Sequence, residues 1–409
     1  MSLVTPTHVY NNYLDELYES ILSQTYTNWE WVILLNGNFN VDQVPQKIAS
    51  DKRVKIHSDF TGNSKIGYLK NVAFSKATGD ILIEMDYDDL LTPDCLEELN
   101  IAFQQKEIGF VFSDDAILMM QGNFIPYNPL YGWTYRKFKW QGQELYSMTH
   151  YPASAHTLSY IYYAPDHVRA WRKEIYQNIG GHDIELSVCD DQDLLIRTYL
   201  VTNFHKVDKV LYIYRKTGVN TVLTRNAEIQ SGTRALFKKY SRILAMHDCE
   251  KNGLLKIDLA PKEKASPGYK SIEDFFQPPQ YILDGKLPLP DNSVGILNAS
   301  HVLQKVQDKN LIMSEIHRVL AHGGWAFIEV PSTDGRGAFQ DPTHVSYWNE
   351  NSFLYYTDKK YADFIDNKKI KFSSFSIETI SWDREVKVVN TVMCAIKENG
   401  ERFPGPYSI

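Results

Sequence analysis

The chain has 409 residues, 43% of them hydrophobic, a length and balance that predict two globular domains each able to bury its own core. A formal net charge of −7 with no long basic run excludes nucleic acid or an anionic membrane surface as the main partner, because both need clustered Lys and Arg. Cys95, Cys189, Cys249 and Cys394 lie far apart, which excludes zinc and disulfide frameworks, and no apolar run approaches the ~20 residues needed to span a bilayer.

Ser2 to Thr5 reads as a short strand closed by Pro6, and a helix follows with Leu14, Leu17, Tyr18, Ile21 and Leu22 on one face. Trp29 to Leu35 is a second buried strand stopped by Asn36-Gly37-Asn38, and Val54 to His57 a third. Gly67 to Ala77 is a helix whose start carries Lys65, Lys70 and Asn71. Cations there oppose the helix dipole, a conflict that a bound phosphate resolves and that solvation of the two lysines also relieves.

The next stretch, Ile81-Leu82-Ile83-Glu84-Met85-Asp86-Tyr87-Asp88-Asp89, is an apolar run ending abruptly in acids. It predicts a buried parallel strand whose carboxyl end opens into a polar crevice, where open α/β sheets hold ligands. Because side chains alternate along an extended backbone, Asp86 and Asp88 point the same way and Tyr87 the other, so that two carboxylates converge on one spot. Two such carboxylates suit Mg²⁺ or Mn²⁺ shared with the phosphates of a substrate. The alternative is that they cap the helix after Leu91-Thr92-Pro93-Asp94, a task that Pro93 and Asp94 already serve.

Leu3-Val4-Thr5-Pro6-Thr7, Ser23-Gln24-Thr25-Tyr26-Thr27-Asn28-Trp29-Glu30, Lys70-Asn71-Val72-Ala73, Ala77-Thr78-Gly79-Asp80 and Met85-Asp86-Tyr87-Asp88-Asp89 resemble, in order and spacing, the family 2 glycosyltransferases of GT-A fold. The resemblance implies a Rossmann-like α/β nucleotide-sugar domain. It also implies that Thr5 and Pro6 hold the nucleotide, Asp86 contacts the ribose, and Asp88 coordinates the metal on the diphosphate. Asn36 stands where the family often has Asp, and Lys70 where it often has Arg.

Ile108 to Ser113 is a further strand, followed by Asp114-Asp115 and an aromatic, poorly periodic region from Tyr127 to Tyr163. So long a stretch without regular structure reads as an acceptor-side loop or as a variable insertion packed on the core. Beyond it Asp166-His167-Val168-Arg169-Ala170-Trp171-Arg172 offers Arg169 and Arg172 for a diphosphate and His167 for metal or acceptor. Asp190-Asp191 opens an amphipathic helix, so at least one of the two serves its dipole. Transfer to a hydroxyl needs a carboxylate to take the proton, and the resemblance implies that Asp191 is this base. After the strand Val207 to Tyr214, Lys216 and Thr217 stand where some relatives carry a metal-binding His.

A helix from Ala227 to Met246 closes the first domain, 1–246, and residues 247–253 form a connector to the second, 254–409. There the strands Leu254 to Asp258, Tyr269 to Ile272, Val294 to Asn298 and Trp325 to Val330 surround a helix, Asn310 to Leu320, and Lys369 to Lys397 reads as paired strands. Leu287-Pro288-Leu289-Pro290-Asp291-Asn292-Ser293, His301-Val302-Leu303 and Glu315 to Gly324 resemble the class I S-adenosylmethionine-dependent methyltransferases, a second Rossmann-like α/β fold. Its cofactor loop needs glycine, yet the chain has Asp258-Leu259-Ala260-Pro261, so weak or no S-adenosylmethionine binding is expected. Glu273 or Asp274 is placed to mimic the ribose-binding acid. Asp341 and His344, without a third ligand, read as a rigid turn.

The expectation is a cytoplasmic, metal-dependent transferase without a secretory leader. It moves a sugar from a nucleotide-diphosphate donor to a glycan, lipid-linked or other hydroxyl acceptor, and a lipid-linked acceptor would draw it to the membrane surface. A bifunctional glycosyltransferase/methyltransferase and a non-catalytic assembly subunit that binds nucleotide sugar or glycan are the alternatives.

Overall fold

The structure is a computed structural model that describes residues 1–126, 133–150, 153–161, 164–218, 220–259, 265–275, 286–367 and 369–397. The chain divides into two compact units, Met1–Ser241 and Arg242–Ile409.

In the first unit, β1 (Ser2–Thr7), α1 (Asn12–Leu22), β2 (Glu30–Asn36), the short α2 (Gln46–Ala49), β3 (Val54–Asp59), α3 (Ile66–Ser75) and β4 (Ile81–Glu84) follow the expected alternation. β5 (Leu90–Leu91), α4 (Cys95–Ala102) and β6 (Ile108–Met119) come next, then β7 (Thr134–Trp140), β8 (Gln143–Thr149), α5 (Ala155–Tyr160) and β9 (Arg169–Arg172). The unit closes with α6 (Lys173–Asn178), α7 (Asp190–Tyr199), β10 (Asn203–Lys216), α8 (Thr221–Thr224) and the start of α9 (Asn226–Lys251).

The strands stand in the order β3-β2-β1-β4-β9-β6-β10-β5. β3, β2, β1 and β4 are parallel, and β9 is antiparallel to both of its neighbours, β4 and β6. Near-continuous burial of Leu3, Val4 and Val32 to Leu35 explains the runs of apolar residues, because a parallel sheet is covered on both faces. Helix α1 lays Leu14, Leu17 and Ile21 on this sheet, and Tyr18 stacks on Trp31 with ring centroids 6.0 Å apart.

Three expectations change. The strand β6 continues through Asp114 and Asp115 to Met119, since both buried acids find partners: Arg136 and Lys206 for Asp114, and His150 for Asp115. The aromatic region is not a bare loop, because β7 and β8 form a hairpin hung antiparallel on β6; residues 127–132, 151–152 and 162–163 of that region lie outside those described. Helix α9 continues through residues 247–251 of the expected connector and ends at Lys251, two residues before Gly253, whose φ of 63° suits a left-handed helix stop.

In the second unit β11 (Leu255–Asp258), β12 (Lys270–Ser271), β13 (Val294–Ser300), β14 (Leu320–Pro331), β15 (Phe372–Ser381) and β16 (Lys387–Ala395) form a sheet ordered β12-β11-β13-β14-β16-β15. The first four are parallel, and β16 runs antiparallel to β14 and β15. The helix Lys309–Val319 buries Ile312, Met313, Ile316 and Val319, and Asp308 caps it by accepting from the Leu311 N–H. Asp274 accepts from the Ser271 N–H instead of standing free, and Asp341 and His344 form the expected turn, bonded to Thr343 and to the Ala338 carbonyl. In the glycine-poor loop after β11, Ala260 and Pro261 lie outside the described residues, while the Asp258 carboxylate accepts from Ser266.

His317, on the same helix, points its Nε2 at the Ile396 carbonyl, 3.0 Å away, and a carbonyl can only accept. Burial pushes its pKa down to about 4 from the ordinary 6.5. The unfolded chain therefore binds a proton that the native state refuses, and stability is lost as pH falls from 6.5 towards 4. Hydrogen exchange of β16 amides at pH 7 and pH 5 checks this: protection falls at the lower pH, and His317→Gln flattens the dependence.

Candidate functional site

Strand β4 carries the site. It pairs with β1 on one side and β9 on the other, and the register sets Glu84 opposite Arg169. A carboxylate at this place is sealed, with Glu84 only 2% exposed. Lys70 from α3 reaches its Oε1 at 2.5 Å, and Arg169 Nη1 stands 3.7 Å from Oε2. Burial alone would push the Glu84 carboxyl up, but Lys70 and then Arg169 hold it well below the usual carboxylate range. Lys70 also meets Asp190 at 3.2 Å, and Arg169 donates to Asp191 Oδ2 at 2.9 Å. Burial raises the Asp190 carboxyl to about 6, with Asp191 adding to the effect and Lys70 opposing it.

Helix α3 can deliver Lys70 because Gly67 packs main chain to main chain: a Cβ there would stand 2.0 Å from the Asp183 carbonyl oxygen. Its N–H donates to the Leu186 carbonyl at 3.1 Å. At the other partner, Cys189 adopts a left-handed φ of 58° and turns the chain into α7, so that Asp190 and Asp191 open the helix.

Beyond Glu84 the extended conformation ends and residues 86–89 form a turn. Asp89 anchors it: its buried carboxylate accepts from the Tyr212 hydroxyl at 2.8 Å and the Arg215 N–H at 2.6 Å. Arg215 then clasps the turn, donating to the Asp88 carbonyl at 2.6 Å and to Glu16 at 2.8 Å, with its guanidinium over the Tyr13 ring. Asp86 and Asp88 are therefore neighbours by a turn and not by strand alternation. Burial, reinforced by the Asp86 charge, raises the Asp88 carboxyl to about 6.

His167 completes the group. Its ring stacks on Tyr212 with centroids 4.7 Å apart, its Nδ1 meets Asp166 Oδ1 at 2.8 Å, and its buried Nε2 makes no hydrogen bond among the described residues. Asp86 Oδ2 is 3.9 Å from that nitrogen. Asp166 in turn lies 3.7 Å from Arg169, so contacts run unbroken from Asp86 through His167, Asp166 and Arg169 to Asp191.

Of the residues expected from sequence, Asp86, Asp88, His167, Arg169, Asp191 and Lys70 thus share one neighbourhood. Pro6 and Asn36 stand partly exposed near the carboxyl ends of β1 and β2. Thr5 is fully buried and accepts from Trp31 Nε1 at 2.9 Å. Lys65 pairs with Glu185 at the surface, and Asn71 ties α3 to the Gly180 and His182 carbonyls. Lys70 is neither solvated nor waiting for phosphate, because Glu84 and Asp190 already compensate it. Arg172 is a correction: it sits opposite Ile81 at the far end of β4, and its guanidinium serves the Ile108, Phe103 and Gln105 carbonyls.

Sequence reasoning missed Glu84, Asp166 and Asp89. Glu84 carried a signal, since a Glu inside an apolar strand requires a buried cation. Asp166 carried a local one, standing one and three residues before its partners His167 and Arg169, whereas Asp89 carried none, its partners Tyr212 and Arg215 being distant in sequence.

The fit of a cation rests on the unpartnered His167 nitrogen beside two partly exposed carboxylates. Among the described residues no three His, Cys, Asp or Glu side chains already form a complete ligand group. Two neighbouring carboxylates suit an ion whose shell is completed by substrate oxygens and water, the habit of Mg²⁺.

Residues 2–156 match the family described as Glycosyl transferase family 2, and residues 241–328 match the family described as Methyltransferase domain. The two halves of the chain are thus similar, respectively, to family 2 glycosyltransferases and to a methyltransferase domain. It is 30% identical over 128 residues to the O-antigen biosynthesis glycosyltransferase WbnJ of Escherichia coli, covering 31% of this chain and 50% of that protein. It is 22% identical over 253 residues to the O-antigen biosynthesis protein RfbC of Myxococcus xanthus, covering 60% of this chain and 18% of that protein. Among solved structures, TarS 1-349 of S. aureus in complex with UDP-GlcNAc is similar at 17% identity and a TM-score of 0.44, covering 61% of this chain and 66% of that one.

Removing Arg169 deprives Asp191 of its cation and takes one of two partners from Glu84 and from Asp166. Arg169→Ala should cost about 3–5 kcal/mol, and Arg169→Lys recovers only part because an ammonium cannot fork between carboxylates. Denaturant midpoints followed by hydrogen exchange in β4 and β9 test both.

Proposed function

We propose that the first unit transfers a sugar from a nucleotide-diphosphate donor to an acceptor hydroxyl in glycan or polysaccharide synthesis, with Mn²⁺ or Mg²⁺ on the diphosphate. The observation that carries the proposal is the continuous path of contacts from Asp86 to Asp191, with a separation of 3.9 Å or less at each step. It links an acidic pair suited to a cation with a carboxylate suited to proton removal. The O-antigen relatives support the polysaccharide class.

Asp88 and Asp86 would hold the cation, its remaining positions filled by diphosphate oxygens and water. When bound, the cation supplies charge neutralisation for the departing diphosphate. Pro6 and Asn36 border the nucleotide, and Lys65 lies at the rim. Asp191 takes the proton of the acceptor hydroxyl. Arg169 and the Gln192 N–H, 2.8 Å from Asp191 Oδ1, fix its orientation and leave each oxygen a lone pair for the incoming hydroxyl. A base on the acceptor face fits a single displacement, hence inversion at the anomeric carbon. The β7–β8 hairpin, hung beside the site on β6, belongs to the acceptor side.

Donor hydrolysis and transfer, measured with and without EDTA over a panel of nucleotide sugars, test this. EDTA and Asp88→Ala abolish both rates, while Asp191→Asn lowers transfer by about 10²–10⁴ and keeps donor binding. Unchanged rates in both variants overturn the assignment.

The family match over residues 241–328 favours a second reading, a bifunctional enzyme that also methylates. Ala260 and Pro261 speak against it, one bringing a Cβ and the other lacking an N–H where a cofactor loop needs backbone access. Calorimetry with S-adenosylmethionine decides: no heat at micromolar concentration is expected, and a binding isotherm would establish the bifunctional enzyme.

A further inference from the structure

The second unit carries a cluster that takes no part in the chemistry above. At the carboxyl ends of β13 and β14, Ser300 Oγ donates to Glu329 Oε1 at 3.1 Å, and His301 Nε2 lies 3.2 Å from the same oxygen. The His301 N–H donates to the Glu329 carbonyl at 2.8 Å. His301 has a φ of 55°, a left-handed backbone that a bulky side chain adopts only when its surroundings enforce it. In that conformation its ring meets Trp382 at a centroid distance of 5.4 Å and 61° between planes.

Trp382 is 59% exposed at the tip of the turn joining β15 and β16. An exposed indole is usually tethered loosely, but this turn is fastened from several sides. Trp382 N–H donates to the Val386 carbonyl, and Asp383 Oδ1 accepts from both Glu385 N–H and Val386 N–H at 2.7 Å. Arg336 grips the turn by its guanidinium on the Glu385 carboxylate at 2.6 Å and by its N–H on the Glu385 carbonyl at 2.7 Å. Gly335 makes the approach possible, because a Cβ there would stand 2.5 Å from that carbonyl oxygen. The loop that Arg336 opens also carries Phe339 and Tyr347, exposed and stacked on each other at 5.1 Å.

A rigid aromatic face is thus presented to solvent beside a carboxylate acceptor and an imidazole. A lipid tail would want a continuous apolar surface, whereas this indole meets an imidazole and is followed by Asp383, Arg384 and Glu385. The ligand that matches has one flat face of C–H groups and a rim of hydroxyl donors and acceptors, which describes a pyranose ring.

We propose that Trp382, His301 and Glu329 form a saccharide-binding subsite of the second unit, with the sugar's C–H face on the indole and its hydroxyls on the Glu329 carboxylate and the imidazole. The choice of a saccharide rests in part on the reading of the first unit as a glycosyltransferase. The second domain then serves the reaction by holding glycan and needs no cofactor to do so.

Affinity electrophoresis of the intact chain through gels containing dextran, yeast mannan or arabinogalactan tests the subsite. At least one polysaccharide retards the wild type. Trp382→Ala weakens that retention about tenfold, the scale of one lost aromatic contact. Glu329→Gln also weakens it, and Trp382→Phe keeps part of it. Trp382→Phe also guards against misfolding of the alanine variant. Absence of retardation in all three gels, or equal retardation of wild type and Trp382→Ala, overturns the proposal. Asp88→Ala separates the two readings, since it should lose donor turnover yet stay retarded. Retention that depends on Trp382 in a chain without donor turnover would sink the transfer reading alone, and turnover without retention would sink the subsite alone.

Discussion

A single carboxylate placed inside a parallel strand governs the first unit. Glu84 has no water to solvate it, and an isolated charge at such depth costs far more than a domain's net stability. It therefore has to be met by cations, and the two that meet it come from different directions: Lys70 from the helix before the strand and Arg169 from the strand beside it. Each cation has charge to spare. Lys70 passes it to Asp190 and Arg169 to Asp191 and Asp166, so the start of α7 and the loop before β9 are drawn to the same place. The partly exposed acids Asp86 and Asp191 are the outer rim of a charge network whose centre is buried.

This arrangement separates two jobs within one cluster. Glu84, Lys70 and Asp190 are buried and make the scaffold, whereas Asp86 and Asp88 remain partly open on a turn that Asp89 and Arg215 pin from behind. The second unit is built on a different balance. Its sheet is held by an apolar core around Ile257, Leu297, Ile328 and Val389, and its polar groups gather where the parallel strands end, at Ser300, His301 and Glu329.

Much of the fold was legible because its signals are local. The apolar runs at Leu3, Trp31 and Ile81, each broken by Pro or Asn or acids, mark parallel strands within a residue or two. The methyltransferase-like order of strands and helix was equally readable. What escaped depends on pairing across long separations. The β7–β8 hairpin sends Arg136 to the buried Asp114, which Lys206 of β10 also meets, and Asp115 pairs in the strand with His150, 35 residues on. Within the candidate site, Asp86, Asp88 and Asp191 announce themselves as acids at element ends. Arg172 misled because its type suits phosphate, yet nothing local tells which end of a strand an arginine occupies once the partner strand's direction is unknown.

The antiparallel pairing of β9 with β4 has one more implication. Glu84 and Arg169 are 85 positions apart and become cross-strand neighbours solely through that register. Side chains alternate faces along a strand, so a slip of one residue would swing the guanidinium to the opposite side and leave the acid alone. Tolerance of insertions is accordingly uneven along this polypeptide: the hairpin outboard of β6 can lengthen or shrink, while the few residues between Pro165 and Trp171 must keep their count.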